Sequence, residues 1–262
     1  MIIISEKLNS SIPSVYKLMD KCDTDGIKKL IEEQLEAGSE YMDLNTALFG
    51  DGEWEKMQYV IDILKDYDCG IMIDSTNPDT VKTALEYIKG KKTIVNSLTL
   101  TARFNEVAPL VAQYGCGIVG LPIDNNGTPA TAKDRIHNAN QLIVKLKDIG
   151  IKEENIFIDA IAEACAVNDQ SAKIVADTVR GIKESNENVH ITCGLSNISF
   201  GLPKRAAINS GFINILSYCG MDSAILNPAT KDMRMAIATA SLLTGADEYC
   251  MEYITTTREI EE

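Results

Sequence analysis

The sequence predicts an α/β fold, a single (β/α)8 barrel. Short apolar runs alternate along the whole chain with longer amphipathic runs, a pattern that is typical of parallel strands joined by helices. Eight such units fit within the 262 residues, and no change of composition marks a linker. We therefore expect one domain over residues 1–262. A doubly wound open sheet is the alternative, but eight regular units favour closure into a barrel.

The predicted elements follow the apolar and amphipathic runs in order. The strands are expected at residues 2–5, 41–44, 70–73, 93–95, 117–121, 155–158, 190–195 and 223–226. The helices are expected at residues 25–37, 53–67, 79–88, 105–114, 132–149, 170–184, 205–218 and 232–243. Asn77 before Pro78 is typical of a helix start, and Asp169 and Thr230 are expected N-caps.

A polar residue follows each predicted strand. These residues are Asn9, Asn45, Asp74, Asn96, Asp124, Asp159, Asn197 and Asn227. In a (β/α)8 barrel the carboxyl ends of the strands meet at one mouth, where the chemistry of such enzymes takes place. The alternative is that these residues only cap helices or form turns. Four of them favour a functional site because each follows directly on an apolar run: Asp74, Asn96, Asp159 and Asn197.

Composition excludes several classes of function. The net charge of −13 argues against nucleic-acid binding, which needs a basic surface. No apolar run approaches the roughly 18 residues of a membrane span, and the amino terminus reads as a strand, not as a signal peptide. The seven cysteines form no CxxC pair, which favours reduced thiols and a cytoplasmic location.

Common cofactor motifs are absent or misplaced. Residues 115–120 match GxGxxG, but they begin a strand, whereas a dinucleotide site would need them to follow one. There is no P-loop. The two histidines, His137 and His190, are far apart in a helix and at a strand start, so neither a metal site nor a Ser-His-Asp triad is expected.

What remains at the expected mouth is a set of carboxylates and amides. Such a set suits a neutral heterocycle that presents both hydrogen-bond donors and acceptors, since a carboxylate accepts two N–H bonds and an amide both donates and accepts. A phosphorylated sugar would instead need glycine-rich loops after the last two strands, and those loops contain a single glycine, Gly201.

Six short segments at the strand ends resemble the pterin-binding methyltransferases, which include the methyltetrahydrofolate–corrinoid/iron–sulfur protein methyltransferase and the folate domain of cobalamin-dependent methionine synthase. The segments cover residues 5–9, 42–45, 73–76, 95–97, 158–159 and 194–199. The resemblance spans essentially the whole chain. It implies a (β/α)8 barrel of the pterin-binding type, usually a homodimer, with the pterin in the mouth.

The resemblance also implies roles for individual residues. Asp74, Asn96 and Asp159 are expected to bind the pterin ring, and Asn197 is expected to reach N5, the nitrogen that carries the methyl group. Ser199 and Arg205 lie in the following loop and are expected to line the site. The remaining pterin-site candidates come from the matched segments: Glu6, Asn9, Asp43 and Asn45.

The implied reaction moves a methyl group between N5 of tetrahydrofolate, or 5-methyltetrahydrofolate, and the cobalt of a corrinoid. N5 is a poor leaving group unless it gains a proton or a strong hydrogen bond, so a donor at Asn197 would act mainly in the transition state. Asp159 and Asp74 could orient that amide through water. The chain lacks the Asp-x-His-x-x-Gly motif of base-off corrinoid binding, so the corrinoid is expected on a separate protein.

Two alternatives stay open. One is a dihydropteroate synthase, which shares the barrel and pterin pocket but typically has a first loop of the form Asn-x-Thr-x-Asp-Ser-Phe-Ser and a late Ser-x-Arg. Neither occurs here: the first loop, residues 9–14, has a different sequence, and no Ser-x-Arg lies near residue 230. The other is a non-catalytic pterin-binding barrel that only binds a partner protein. The presence of Asn197 argues against this second alternative.

Overall fold

The eight strands form one parallel sheet in a computed structural model that describes residues 1–261. They are β1 (Ile2–Ser5), β2 (Tyr41–Asn45), β3 (Gly70–Asp74), β4 (Thr93–Thr99), β5 (Gly117–Leu121), β6 (Ile156–Asp159), β7 (His190–Thr192) and β8 (Ser223–Leu226). The sheet order is β7-β6-β5-β4-β3-β2-β1-β8. A bridge between Gly194 and Ile225 joins its two edges, and the Ile225 N–H donates to the Cys193 carbonyl at 3.0 Å. The predicted (β/α)8 barrel is confirmed.

The helices follow the strands and surround the barrel. They are α1 (Pro13–Asp20), α2 (Thr24–Glu36), α3 (Glu53–Leu64), α4 (Pro78–Tyr87), α5 (Ala102–Tyr114), α6 (Ala132–Asp148), α7 (Ser171–Ser185), α8 (Arg205–Tyr218), α9 (Lys231–Leu243) and α10 (Met251–Glu261). All eight predicted helices are present, with ends that differ by up to three residues. The sequence analysis missed α1 and α10. None of the described helices is long and apolar enough to cross a bilayer.

Two of the three expected helix caps are confirmed. The Asn77 and Thr230 side chains accept hydrogen bonds from backbone N–H groups in the first turns of α4 and α9. Asp169 was wrongly predicted as a cap, because α7 begins two residues later and Gln170 precedes it without a side-chain cap. The Asp169 carboxylate instead accepts a hydrogen bond from the Gln170 side chain at 3.2 Å.

The largest difference from the predicted strands lies at β7. The strand ends at Thr192, three residues before the predicted end, and a 3-10 turn (Leu195–Ser199) follows it. The chain bends at this point because Gly194 leaves its strand course to bridge Ile225 of β8. Asn197 therefore lies inside a turn and not directly at a strand end.

Side chains alternate between the two faces of each strand, and this alternation fills the barrel interior. An apolar layer inside the barrel is formed by Ile4, Met72, Ile94, Val119, Phe157 and Ile225. Moving two residues toward the mouth on four of these strands gives Glu6, Asp74, Asn96 and Asp159. The side chains inside the barrel therefore change from apolar to acidic or amide between one inward-facing position and the next along these strands.

His190 lies at the opposite end of the barrel, as its position at the strand start predicted. Its ring stacks on Phe157 at 4.7 Å, and its Nδ1 lies 3.1 Å from the carboxylate of Asp222. Lys183 donates to the same carboxylate at 2.9 Å. These contacts join β6, α7, β7 and the segment before β8, and they place the imidazole away from the mouth.

Candidate active site

The first part of the mouth is built by β2, β3 and β4. Parallel pairing sets Asn45 beside Asp74, and Asp74 beside Asn96. The Asn45 amide donates to Asp74 at 2.8 Å, and the Asn96 amide lies 3.5 Å from the Asp43 carboxylate. Two predicted carboxylates thus each have a predicted amide as partner.

Asp43 is the most enclosed carboxyl of the mouth, with 4% of its surface exposed. Burial raises its pKa well above the usual range, and the nearby Asp74 and Glu6 carboxylates raise it further, while the hydrogen bond from Asn96 lowers it. The pKa of Asp74 is raised chiefly by burial, against the hydrogen bond from Asn45. Burial therefore favours the neutral form of both carboxyls, and a neutral carboxyl can donate a hydrogen bond.

Two charged residues on the outer helices hold the loops that follow Asp74 and Asn96. The sequence analysis did not identify either of them. Arg103, near the start of α5, donates to the backbone carbonyls of Ser97, Thr76 and Ser75 at 2.6, 2.6 and 2.5 Å. Glu53, at the start of α3, accepts the Ser75 hydroxyl at 2.6 Å. The loops that follow β3 and β4 are thereby tied to each other and to the outer helices.

Asp159 lies across the mouth, at the end of β6. Its carboxylate accepts a hydrogen bond from the Ile161 N–H at 2.7 Å and another from the Gly194 N–H. Burial raises the pKa of Asp159 to about 6, although both hydrogen bonds and the positive charge of Arg135 act to lower it. With this pKa the carboxyl is mostly ionised at neutral pH, and its oxygens can accept N–H donors from a ligand.

The turn after β7 carries the remaining predicted residues. The Ser196 hydroxyl donates to Glu6 at 2.8 Å. Arg205 donates to the Ser196 carbonyl at 2.7 Å and to the Ser199 hydroxyl at 3.0 Å. Ser199 is fully buried, so its hydroxyl holds Arg205 and is not open to the mouth. Glu6 and Arg205, with Asn209 of α8, also line a cavity of about 290 Å³ beside this turn.

Asn197 is exposed at the mouth. Its backbone is fixed by two turn hydrogen bonds, from its own N–H to the Gly194 carbonyl at 3.2 Å and from the Phe200 N–H to its carbonyl at 3.1 Å. Within residues 1–261 its side-chain amide makes no hydrogen bond. A Cβ atom at Gly194 would stand 3.0 Å from the Asn197 amide nitrogen, so the glycine leaves the space that this amide occupies.

The other strand-end residues divide between the two interpretations of the sequence. Asn9 lies beside the site, since it bridges Asn45, but its side chain accepts the Ser11 N–H at 2.8 Å and forms a turn. Asp124 and Asn227 are also turn formers, because each accepts a backbone N–H two residues ahead. These three side chains therefore form turns, as the alternative interpretation predicts, and a pterin-binding role for Asn9 stays a prediction.

The arrangement can bind a planar, polar heterocycle by its edge. Carboxylates and amides from β2, β3, β4 and β6 surround the mouth. The Asn197 amide, which has no hydrogen-bond partner among the described residues, lies at its rim on the turn after β7. Within the described residues, no group of three or more histidine, cysteine, aspartate or glutamate side chains is placed to hold a metal ion.

Comparison with known proteins agrees with this geometry. Residues 5–227 match the family described as pterin binding enzyme. The chain belongs to the pterin-binding enzyme family. This match covers every strand-end residue of the candidate site.

Three similar proteins refine the comparison. The chain is 32% identical over 257 residues to a methylcorrinoid:tetrahydrofolate methyltransferase of Eubacterium limosum, a match that covers 97% of this chain and 94% of the relative. It is 28% identical over 250 residues to methionine synthase of Mycobacterium tuberculosis, covering 90% of this chain and 21% of that longer protein. A dihydropteroate synthase from Coxiella burnetii, solved in complex with pteroic acid, aligns with a TM-score of 0.69 over 94% of this chain and 93% of its own. Its 16% identity shows a shared fold only.

The burial of Asp43 leads to a prediction about stability. The pKa of Asp43 is higher in the folded than in the unfolded chain. The carboxyl therefore lowers the free energy of unfolding as the pH rises above its unfolded pKa of about 3.9, and this destabilisation is complete above the folded pKa. Asp43→Asn keeps an acceptor for Asn96 and removes this cost. We expect a higher Tm at pH 8, by a few degrees if about 1 kcal/mol is recovered, and no difference below about pH 4.

The matched control is Asp124→Asn. Hydrogen bonds from Asn126 lower the pKa of Asp124, so this substitution should lower the Tm slightly at pH 8, which is the opposite sign. Thermal unfolding followed by circular dichroism across pH 3–8 measures both. A lower Tm of Asp43→Asn at pH 8 would contradict the effect ascribed to burial.

Proposed function

We propose that this protein is a methyltransferase that moves a methyl group between N5 of tetrahydrofolate and the cobalt of a corrinoid carried by a separate protein. The observation that carries the proposal is the Asn197 amide, held at the rim of a pterin-type mouth with no partner of its own among the described residues. The relative from Eubacterium limosum supports it, because its name states this chemistry and it aligns over nearly the full length of both chains. We further propose that residues 1–262 act as one domain.

Pterin binding is assigned to the carboxylates and amides inside the mouth. Asp159 is mostly ionised at neutral pH and accepts the N–H groups of the amino-imide edge of the pterin. Asp74 and Asn96 bind the same ring from the opposite side, where the Asn45 and Arg103 contacts fix their positions. These hydrogen bonds are alike in substrate and product, so they contribute affinity that does not change during the reaction.

The chemical step is assigned to Asn197. When the methyl group passes to cobalt, the electron pair of the C–N bond stays on N5, which takes up a proton from water to give tetrahydrofolate. A side-chain N–H directed at N5 stabilises this developing charge selectively. The corrinoid supplies the cobalt centre that takes up or releases the methyl group, and the same hydrogen bond serves both directions of transfer.

The approach of the corrinoid is assigned to the rim beside Asn197. Phe200 and Val167 expose 68% and 87% of their surfaces there. Their loops are joined, because the Cys165 N–H donates to the Ile198 carbonyl at 3.0 Å. Exposed apolar side chains next to a catalytic opening favour a large partner over bulk water, and we propose that the corrinoid protein covers them.

A homodimer is proposed through the outer face of α8. After Arg205 this helix carries no charged residue, and its exposed positions are Ala206, Ala207, Gly211, Ile215 and Tyr218. Ile215 and Tyr218 expose 50% and 77% of their surfaces. In a chain with a net charge of −13, an uncharged stripe is the surface on which two copies meet with least repulsion.

The seven free cysteines favour a reducing, cytoplasmic environment.

The activity is tested with free cobalamin in place of the corrinoid protein. Purified protein is incubated with tetrahydrofolate and methylcobalamin, and separately with 5-methyltetrahydrofolate and cob(I)alamin, while the absorption spectrum of the cobalt is followed. We expect methyl transfer in at least one pair. Binding of tetrahydrofolate without transfer in either direction would leave a non-catalytic pterin-binding barrel and overturn the proposal.

Binding and chemistry are separated by two substitutions. Asn197→Ala removes the donor to N5 and should lower kcat by about 10²–10³, as expected for deletion of a positioned transition-state donor, with little change in the Kd for tetrahydrofolate. Asp159→Asn replaces an acceptor by a mismatched amide and should weaken tetrahydrofolate binding by about 2 kcal/mol. Asp124→Asn, a strand-end substitution outside the pterin set, should change neither constant. The reverse distribution of effects between the two site variants would show that the roles are exchanged.

The dimer is tested by Ile215→Glu, which places a charge in the middle of the α8 stripe. We expect the molar mass in solution, measured by light scattering after gel filtration, to fall from that of two chains to that of one. Val144→Glu is the matched control, because Val144 is 57% exposed on α6 and its substitution should leave the mass unchanged. A wild-type protein with the mass of a single chain would refute the dimer.

A further inference from the structure

Arg135 is the largest fully buried side chain of the described chain, and it lies in the first turns of α6. Its guanidinium donates to the backbone carbonyls of Pro129 at 2.9 Å, Ala160 at 3.2 Å and Ile161 at 2.7 Å. Its fourth contact is an ion pair with Glu163 at 2.6 Å, whose side chain is 42% exposed. A buried guanidinium with this many backbone partners is placed to fix the course of a loop.

The loop that Arg135 holds is strained. Ile161 has a φ of +57°, in the left-handed region that a β-branched residue rarely adopts. This conformation brings the Ile161 N–H to the Asp159 carboxylate at 2.7 Å. The two carbonyls on either side of that N–H, those of Ala160 and Ile161, are the ones that the Arg135 fork binds.

We propose that Arg135 is a positioning residue for Asp159: it holds Ile161 in its left-handed conformation, and thereby sets the orientation of the pterin-binding carboxylate. The inference rests on the proposed role of Asp159 in pterin binding. Arg135 itself is fully buried and acts only through the Ala160–Ile161 backbone and through its charge.

The same loop also braces the turn that carries Asn197. Beyond Ile161, the Glu163 carbonyl accepts the Ser171 hydroxyl at 2.7 Å, and the Cys165 N–H donates to the Ile198 carbonyl at 3.0 Å. One buried side chain therefore supports two neighbouring parts of the mouth. It supports the binding carboxylate through the Ile161 backbone, and the amide-bearing turn through the three residues between Ile161 and Cys165.

Few charges act on Asp159. From α6 it faces the Arg135 guanidinium. From the residue after β7 it faces the Cys193 thiol, whose pKa is itself raised by burial and by the Asp159 charge. Glu163 lies on the far side of the guanidinium. The Ile161 hydrogen bond lowers the pKa of Asp159, whereas burial raises it. Loss of that hydrogen bond would therefore raise the pKa of Asp159 above about 6.

The test measures tetrahydrofolate binding directly, by calorimetry between pH 5 and 8, and needs no turnover. Arg135→Lys keeps the positive charge but loses the planar fork. We expect its Kd at pH 7.5 to rise about tenfold or more, the cost of misplacing a charged hydrogen bond. The acidic limb of the binding profile should move to higher pH, because Asp159 must be ionised to accept the pterin N–H groups. A purely structural role would lower the Tm but leave this limb in place.

A second substitution tests the mechanism. Glycine adopts a positive φ without strain, so Ile161→Gly introduced into the Arg135→Lys protein should restore part of the affinity and return the acidic limb toward that of the wild type. The matched control is Arg180→Lys on α7, a surface ion pair with Asp177, which should change neither quantity.

The outcomes are distinct. A folded Arg135→Lys protein with the wild-type Kd and pH limb overturns the inference. If that variant does not fold, Glu163→Ala, at the exposed end of the ion pair, decides: a Kd raised about threefold or more supports the inference, and an unchanged Kd overturns it. A wild-type protein that binds no tetrahydrofolate would overturn the proposed function itself, whereas loss of methyl transfer alone would leave this inference standing.

Discussion

The alternation of side chains along eight strands in register is the constraint on which the structure depends. Ile4, Met72, Ile94 and Phe157 fill the barrel interior, and the next inward positions toward the mouth can only be lined by the residues two places further on. Those residues are carboxylates and amides, so the ring of polar groups follows from the same geometry that builds the core. The site and the fold cannot be varied independently at these positions.

This constraint places carboxyl groups in buried positions, where burial disfavours their charged form. The pKa values of Glu6, Asp43, Asp74 and Asp159 are all raised, with burial as the largest cause. The protein offsets the cost with amide partners on β2 and β4 and with two arginines outside the barrel. Arg103 and Arg135 both bind backbone carbonyls of the loops, so they fix the acids without neutralising them by direct pairing. A mouth arranged in this way keeps its acceptors available for a ligand.

The sequence was informative where periodicity sets the position and uninformative where contacts join distant segments. Asp74, Asn96 and Asp159 could be found because each ends an apolar run whose period fixes its height in the barrel. The bend after Thr192 could not be foreseen, because it depends on Gly194 pairing with β8. Arg103 and Arg135 carry no recognisable signal, since their partners are backbone carbonyls in loops that any residue could supply. Helices α1 and α10 were missed because they add to the regular strand and helix alternation.

The closure of the barrel is uneven. Neighbouring strands elsewhere share two to five paired residues, two between β1 and β2 and five between β2 and β3, whereas β7 and β8 share the single Gly194–Ile225 bridge. Local opening needs least free energy where the fewest backbone hydrogen bonds must break. The wall that carries the Asn197 turn is therefore the compliant part of the cylinder, and the wall that carries Asp74 and Asn96 is the stiff part. In such a barrel the Asn197 turn can shift when a macromolecule binds at the mouth, while Asp74 and Asn96 keep their positions around a small ring.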